Sequence, residues 1–277
     1  MTDTLVLKLS SNDRDLKQSN SSSDFVVNIN QGKHLQRVKG VVVKQIVCMN
    51  RMYNVNQYNN KFRFWTGIPV GQTLDSKYDV ATNDALGTRY DIVVPPGQYT
   101  FFQLVVAFNA EIANTGVSMT VIREPTNQEV IQFDTGPNTR VSFYGSQLLR
   151  TDEPSGISEL LGFESGAIYH VDNSASLYGP YIPKLEGTRF VSVHSRALSP
   201  INGLDASGIS NNLLASFPVN CAYGTNEVYE SPNPRSDLIL YKTERNVSQI
   251  DIRLRDEYGR PLDNQNGDIT LVLNVIY

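Results

Sequence analysis

The sequence predicts an all-β fold, a β-sandwich carrying a small α+β insertion. Three observations carry that reading. Short segments with strand character recur along most of the 277 residues, many alternating apolar and polar side chains, which is how a strand buries one face and wets the other. Turn formers, 19 Gly and 13 Pro among them, punctuate these segments. A helical repeat stands out in only one place. The clearest strands close the chain. In residues 247–256, Ile250, Ile252 and Leu254 alternate with Gln249, Asp251, Arg253 and Arg255. In residues 268–277, Ile269, Leu271, Leu273, Val275 and Tyr277 hold one face, with Val272 and Ile276 on the other. The two segments, joined by the turn-rich residues 257–267, read as a strand–turn–strand unit.

From the start, residues 4–9 alternate as a short strand and residues 10–23 form a polar stretch that reads as an extended arm. Residues 24–30 are a strand with Phe25, Val27 and Ile29 on one face. After a turn at 31–34, residues 38–53 are a long strand whose near-continuous apolar run suggests burial on both sides. Residues 61–65 alternate again, and residues 68–88 read as irregular. A strand at 90–94 stops at Pro95 and Pro96. Thr100 then caps a helix over 101–113, whose Phe101, Leu104, Val105, Phe108 and Ile112 recur at three and four residues, with Gly116 just beyond. Strands follow at 117–123, 129–134 and 140–144, and a helical turn at 157–163 ends at Gly162. Residues 165–186 read as loop, and strands return at 189–194, 213–219 and 238–241. There is no evident internal repeat and no βαβ periodicity.

Composition excludes several functions. A net charge of -4 and a pI near 5.4 give no overall basic field for nucleic acid. No apolar run approaches a membrane span, and the first residues lack a signal-peptide pattern, so a soluble protein made in the cytosol is expected. Without secretion, the acceptor patterns at Asn20 and Asn246 carry no meaning. Cys48 and Cys221 make no disulfide framework, and Cys48 sits in an apolar strand as a small buried hydrophobe.

A search for chemistry ends without a catalytic constellation. His34, His170 and His194 have no second ligand at zinc spacing, and His194 reads as a sheet-surface residue. The acidic pairs Asp13/Asp15, Asp152/Glu153 and Asp256/Glu257 read as solvated turns. Residues 263–268 loosely resemble a calcium loop but lack its spacing and distal Glu, so they read as a hairpin turn. Residues 203–208 form a glycine-bearing loop without the lysine of a phosphate site. Tyr169, Tyr178, Tyr181, Tyr223 and Tyr229 fall in predicted loops, where either protein contacts or core packing would employ them. No cofactor and no metal is expected.

A series of segments carries a resemblance across nearly the whole chain. Leu9-Ser-Ser-Asn-Asp-Arg14 and Ser23-Asp-Phe-Val-Val-Asn-Ile29 open it. Pro96-Gly-Gln-Tyr-Thr100 leads into Phe102-Gln-Leu-Val-Val-Ala-Phe-Asn109, and Leu160-Leu-Gly-Phe163 follows. Ile250-Asp-Ile-Arg-Leu-Arg-Asp-Glu-Tyr-Gly-Arg-Pro-Leu262 then runs into the last strand. In this order the segments resemble the penton (vertex) proteins of virophages and related polinton-like viruses.

The resemblance implies a single jelly-roll β-sandwich with an insertion domain. It also implies a structural, non-enzymatic minor capsid protein, whose homopentamer fills icosahedral fivefold vertices beside a double jelly-roll major capsid protein. The expected location is the virion, after synthesis in the host cytoplasm. The expected domains are an N-terminal arm (1–23), a jelly roll (24–67 and 187–277) and the insertion (68–186), through which a host receptor would be met. The arm, with Asn12, Asp13, Arg14, Ser21 and Ser22, is expected to order on assembly. Its deletion (1–22) would then leave a folded chain that fails to enter capsids. In a jelly roll the first and last strands lie side by side, so residues 25–29 are expected to pair with 269–275. A receptor- or carbohydrate-binding sandwich, such as a fibre or spike head, is the competing expectation, and a sandwich-fold hydrolase has the least support.

Overall fold

The computed structural model describes residues 4–29, 35–75, 79–123, 130–145, 156–199, 212–232 and 238–277. The chain divides into two compact units, one made of Met1–Met52 with Thr188–Tyr277 and the other of Tyr53–Gly187.

The first unit begins with β1 (Thr4–Ser10), β2 (Asp24–Asn28) and β3 (Leu35–Met49). The second unit holds β4 (Lys61–Thr66), α1 (Val80–Leu86), β5 (Thr88–Val93), α2 (Phe101–Ala113), β6 (Met119–Arg123), β7 (Ile131–Thr135), β8 (Val141–Tyr144), α3 (Gly156–Leu160), β9 (Ile168–Val171) and β10 (Ser176–Tyr178). The chain then completes the first unit with β11 (Phe190–His194), β12 (Leu213–Pro218), β13 (Asn226–Glu230), β14 (Leu238–Val247), β15 (Gln249–Arg255) and β16 (Ile269–Ile276).

The first unit is a sandwich of two antiparallel sheets. One has the order β1-β16-β3-β13, with β14 on the same edge of β3 as β13; the other has the order β12-β11-β15-β2. Taking β13 and β14 together as one position, the chain visits eight strand positions. It alternates between the sheets at every step except β11 to β12, and the first strand lies beside the last. That is the strand order of a single jelly roll. The alternating residues explain the placement. Leu9, Leu271, Ile46 and Val193 turn inward from their strands, and Phe25, Ile250, Ile252 and Leu254 join them in one buried core.

Both terminal strands behave as their alternation requires, but not as a hairpin. β15 pairs with β2 and β11, whereas β16 pairs with β1 and β3. Each has one apolar face, and the two faces are buried against each other across the sandwich rather than side by side. The segment between them is held internally. Asp256 accepts from the Tyr258 and Arg260 amides (both 2.9 Å) and from Arg260 Nε (2.7 Å). Fully buried Asn264 accepts from the Arg51 amide at 2.9 Å.

Residues 25–29 therefore do not pair with 269–275. β2 meets β15, with Ile252 opposite Phe25, and it is β1 that runs beside β16, with Leu7 opposite Leu273. The rule that first meets last holds, but the first strand lies inside the stretch expected to be an arm. Residues 1–23 are thus no free arm over their described part. β1 ends in a 3-10 turn (Ser11–Asp13), and the buried Ser11 hydroxyl accepts from the Ile269 amide at 3.1 Å.

The second unit opens earlier than expected, before β4 rather than after it. β4 pairs with β5 and β8 in the sheet β5-β4-β8-β9, and a second sheet runs β10-β7-β6. Phe62 and Phe64 of β4 lie in a buried cluster with Phe108, Phe133, Phe143 and Phe163, with Phe62–Phe143 ring centres 5.1 Å apart. Phenylalanines packed edge-to-face gain on top of their area burial, which assigns β4 to this core. α2 spans the expected residues. Thr100 Oγ1 accepts from the Gln103 amide and Gln103 Oε1 from the Thr100 amide, a complete capping box.

Three further readings differ from the structure. The irregular stretch 68–88 contains α1, begun by Asp79, and it covers the second face of β4: fully buried Trp65 sits with Ile68, Leu74 and Tyr144 and donates to Asp84 Oδ1 at 2.9 Å. The loop 165–186 contains β9 and β10, and β13 lies where no strand was expected. Buried Asn54 closes the unit where the chain enters and leaves it. Its amide nitrogen donates to the Tyr99 and Leu185 carbonyls (2.7 and 3.1 Å), and its Oδ1 accepts from the Tyr99 amide (2.9 Å).

Because β1 is part of the core sheet, Leu9→Ala is expected to cost roughly 2–5 kcal/mol. Ser11→Ala, which strands the buried Ile269 amide, should cost about 1–3 kcal/mol, both read from urea unfolding. Deleting residues 1–22 should abolish cooperative unfolding of the first unit.

Candidate assembly surfaces

The five residues expected to serve assembly do not form one surface. Asn12 and Asp13 are exposed, Arg14 and Ser21 are half-buried, and Ser22 is buried. Arg14 Nη1 donates to the Ser11 carbonyl at 2.8 Å, and Ser21 Oγ accepts from the Ser23 and Asp24 amides at 3.2 and 3.1 Å. Asp15, which the sequence marks only as a solvated turn residue, organises the connection. It accepts from the Lys17 amide (2.9 Å) and from the side chains of Asn28 (2.7 Å) and Gln18 (2.9 Å). Those bonds, the Lys17 amide first, hold its carboxyl below the usual range. Between β1 and β2 the chain is thus a bonded turn laid along the sheet.

The titratable groups with the chemistry for catalysis are occupied structurally. His170 Nδ1 meets Ser142 Oγ at 2.7 Å, but the pair sits directly across β8 and β9 and Ser142 is fully buried. The nearby carboxylate, Asp172, pairs with Arg140 at 3.0 Å instead of orienting the imidazole. A buried hydroxyl without an oriented base is a cross-strand contact, not a nucleophile. His194 shares its face with Ser192, Nε2 to Oγ 3.0 Å, and lies beside Arg253 across the strand pair. Burial pushes the Cys48 thiol up to about 12, and the Cys221 thiol is also raised by burial. Among the described residues no group of three or more His, Cys, Asp or Glu could hold a metal ion, and no helix is long and apolar enough to cross a membrane. His34, the pair Asp152/Glu153 and the loop 203–208 lie outside the described residues.

A groove of about 400 Å³ on the second unit is lined by Asn109, Ala113, Val117, Thr120, Asp134 and Gly136. Its polar groups are already committed. Asn109 bonds both ways with the Val121 backbone (2.6 and 2.7 Å), and Asp134 accepts from Gln132 and Ser176 (2.6 and 2.5 Å).

The tyrosines separate into two sets. Tyr169 stacks on Phe143 and meets Phe163 at 4.9 Å, and Tyr229 stacks on Phe217 at 5.7 Å, so both are packing residues. Tyr178 and Tyr181 are each more than half exposed, beside Ile182, on the second unit. The other exposed apolar side chains include Leu5 and Val6 on β1, Val228 on β13 and Leu240 on β14, all at the edges of one jelly-roll sheet.

A two-sheet sandwich in jelly-roll order, with a second folded unit between its third and fourth strand positions and neither metal site nor catalytic group among the described residues, belongs to the class of single jelly-roll proteins with an insertion. Among solved structures, the chain is similar to the crystal structure of the SeMet-labelled mavirus penton protein, with 12% identity over 100% of this chain and 99% of that one and a TM-score of 0.46. No protein-family model and no curated protein matches the chain.

Acid should weaken the protein through its histidines. Burial is the main cause that lowers the proton affinity of both His170 and His194, helped by Arg140 at the first and by Arg255 and Arg253 at the second. Asp172 acts in the opposite sense on His170. Each takes up a proton more readily in the unfolded chain, so stability is flat above the unfolded histidine range near 6.5 and falls as pH drops below it. Thermal melts at pH 7.5 and 5.5 should show the loss, and His194→Gln should make it shallower.

Proposed function

We propose that this chain is a structural, non-enzymatic capsid protein that forms the homopentameric penton at icosahedral fivefold vertices, beside a double jelly-roll major capsid protein. The observation that carries the reading is the jelly-roll strand order, combined with where the segments of the family resemblance fall. Ser23 to Ile29 spans β2, and the Ser23 carbonyl just before it accepts from the Leu254 amide at 2.8 Å. Pro96 to Thr100 leads into the capped start of α2, and Leu160 to Phe163 closes α3. Residues 250–262 comprise most of β15 and the bonded crossing turn that follows it.

These segments sit at the start or end of structural elements in both units, as parts of one architecture rather than of a ligand site. A sandwich stabilised by burial between its own sheets needs no cofactor, and identical copies in a ring need one repeated, heterologous interface. On this reading the chain is made in the host cytoplasm and resides in the virion. The exposed Tyr178, Tyr181 and Ile182 of the second unit are the surface offered to a host receptor.

Mass measurement of the purified chain across a concentration series should reach five copies, and imaging of particles should place it at the fivefold positions. A stable trimer with glycan affinity would replace the reading with a fibre or spike head.

A further inference from the structure

The jelly-roll sheet β1-β16-β3-β13/β14 has two outer edges, and two of its outward rows end in complementary residues, Lys8 with Glu230 and Val6 with Leu238. Across the sheet the outer rows read Thr4–Ile276–Gly40–Leu240, Val6–Asn274–Val42–Leu238, Lys8–Val272–Gln45–Glu230 and Ser10–Thr270–Val47–Val228. The intervening rows, such as Leu9–Leu271–Ile46–Tyr229, face the core. Among the described residues β1 pairs only with β16, and β13 and β14 pair only with β3, so no described strand covers either edge.

Free edges are normally blunted by charge, bulges or covering segments. Here part of each edge is apolar: Leu5 and Val6 are 43% and 60% exposed on β1, and Val228 and Leu240 are 52% and 62% exposed on the opposite edge, although β14 beyond Leu240 carries Lys242, Glu244 and Arg245 and a register shift. In the outer rows the two charges, Lys8 on one edge and Glu230 on the other, are exposed and have opposite sign. Lys8 has no ion pair among the described residues. Among the described residues Glu230 accepts only from the neutral Gln45 amide, at 3.0 Å.

We propose that a second copy of this chain docks edge to edge, with β1 of one copy beside β13 and β14 of the next. Since every neighbour in the sheet is antiparallel, β1 and β13 run in opposite directions and an added β1 continues the ladder in antiparallel sense. Continuing each row into the next copy sets Lys8 against Glu230, Val6 against Leu238 and Thr4 against Leu240. The two surfaces are different patches of one chain, so the contact is heterologous and propagates around a ring if the rotation closes. Opposed charges at such a rim set register and suppress wrong pairings. The inference deepens the self-association in the reading above and rests on it.

Within one copy Lys8 and Glu230 are three strand spacings apart, roughly 14 Å, so a zero-length cross-link between them must join two chains. The full chain, mixed unlabelled and ¹⁵N-labelled, is treated with a carbodiimide at concentrations where it self-associates, and the cross-linked peptides are read by mass spectrometry. The expected product is a mixed-isotope Lys8–Glu230 link. K8E and E230K should each weaken association about tenfold or more, and K8E/E230K should restore it. Both side chains are exposed, and circular dichroism checks that the variants fold. If the chain associates without that link and the single reversals change nothing, this contact is wrong while self-association stands. If the chain stays monomeric at every concentration, both readings fall.

Discussion

The first unit depends on β3. Among the described strands its 15 residues are the only template long enough to hold β16 along one side and both β13 and β14, end to end, along the other. Its inner residues Val41, Val43, Ile46 and Cys48 face the opposite sheet. The span from Val43 to Ile46 is three residues, not two, because Lys44 bulges between the partners of Leu273 and Val272. That bulge keeps both halves of the strand with their apolar residues inward, and its carbonyl is used by the Ser231 amide at 3.2 Å where β13 ends. A strand of this length without the bulge would carry its second half out of phase with the core.

The second unit satisfies the same requirement differently. Its core sets phenylalanine rings, Phe62, Phe64, Phe108, Phe133, Phe143 and Phe163, among branched aliphatics such as Ile131 and Val141. Phe133 alone meets Phe62, Phe108, Phe143 and Phe163 at centre distances between 5.3 and 5.9 Å. Large rings help two short sheets and their helices exclude water, with strands of only three to six residues. Asn54 then binds the incoming and outgoing chain to each other. The unit is thereby closed by its own hydrogen bonds, as an inserted domain must be.

Local alternation made the strands legible and left their partners illegible. Ile250, Ile252 and Leu254, or Ile269 through Val275, announce a strand with one buried face, and helix α2 is announced by its cap and its apolar spacing. None of that says which sheet a strand joins. Two amphipathic strands separated by a turn-rich segment are equally suited to a hairpin and to opposite layers of a sandwich. The outcome is decided by the length and bonding of the connection, here organised by Asp256 and Asn264. Likewise the polar residues 10–23 look like an arm because their hydroxyls and amides face no apolar pattern, yet Ser11, Asp15 and Ser21 spend them on backbone groups of the same unit. Sites were less legible than fold. The five expected assembly residues scatter between exposed and buried, while the exposed apolar edges are residues that any strand reading assigns to structure.

Those edges carry the last step. An alternating strand in mid-sheet has both neighbours and needs only one apolar face. β1 has Leu5, Val6 and Leu7 in succession, apolar on both faces, at the margin of a sheet where one face already meets solvent. Burial within the unit accounts for the inner set, Leu7 and Leu9, but gives Val6 no partner beyond Asn274. Nothing in jelly-roll closure requires a valine there, and solubility argues against it. The opposite edge repeats the anomaly with Val228 and Leu240. Two apolar margins on one sheet are a cost to an isolated chain, and that cost is removed when one margin covers the other.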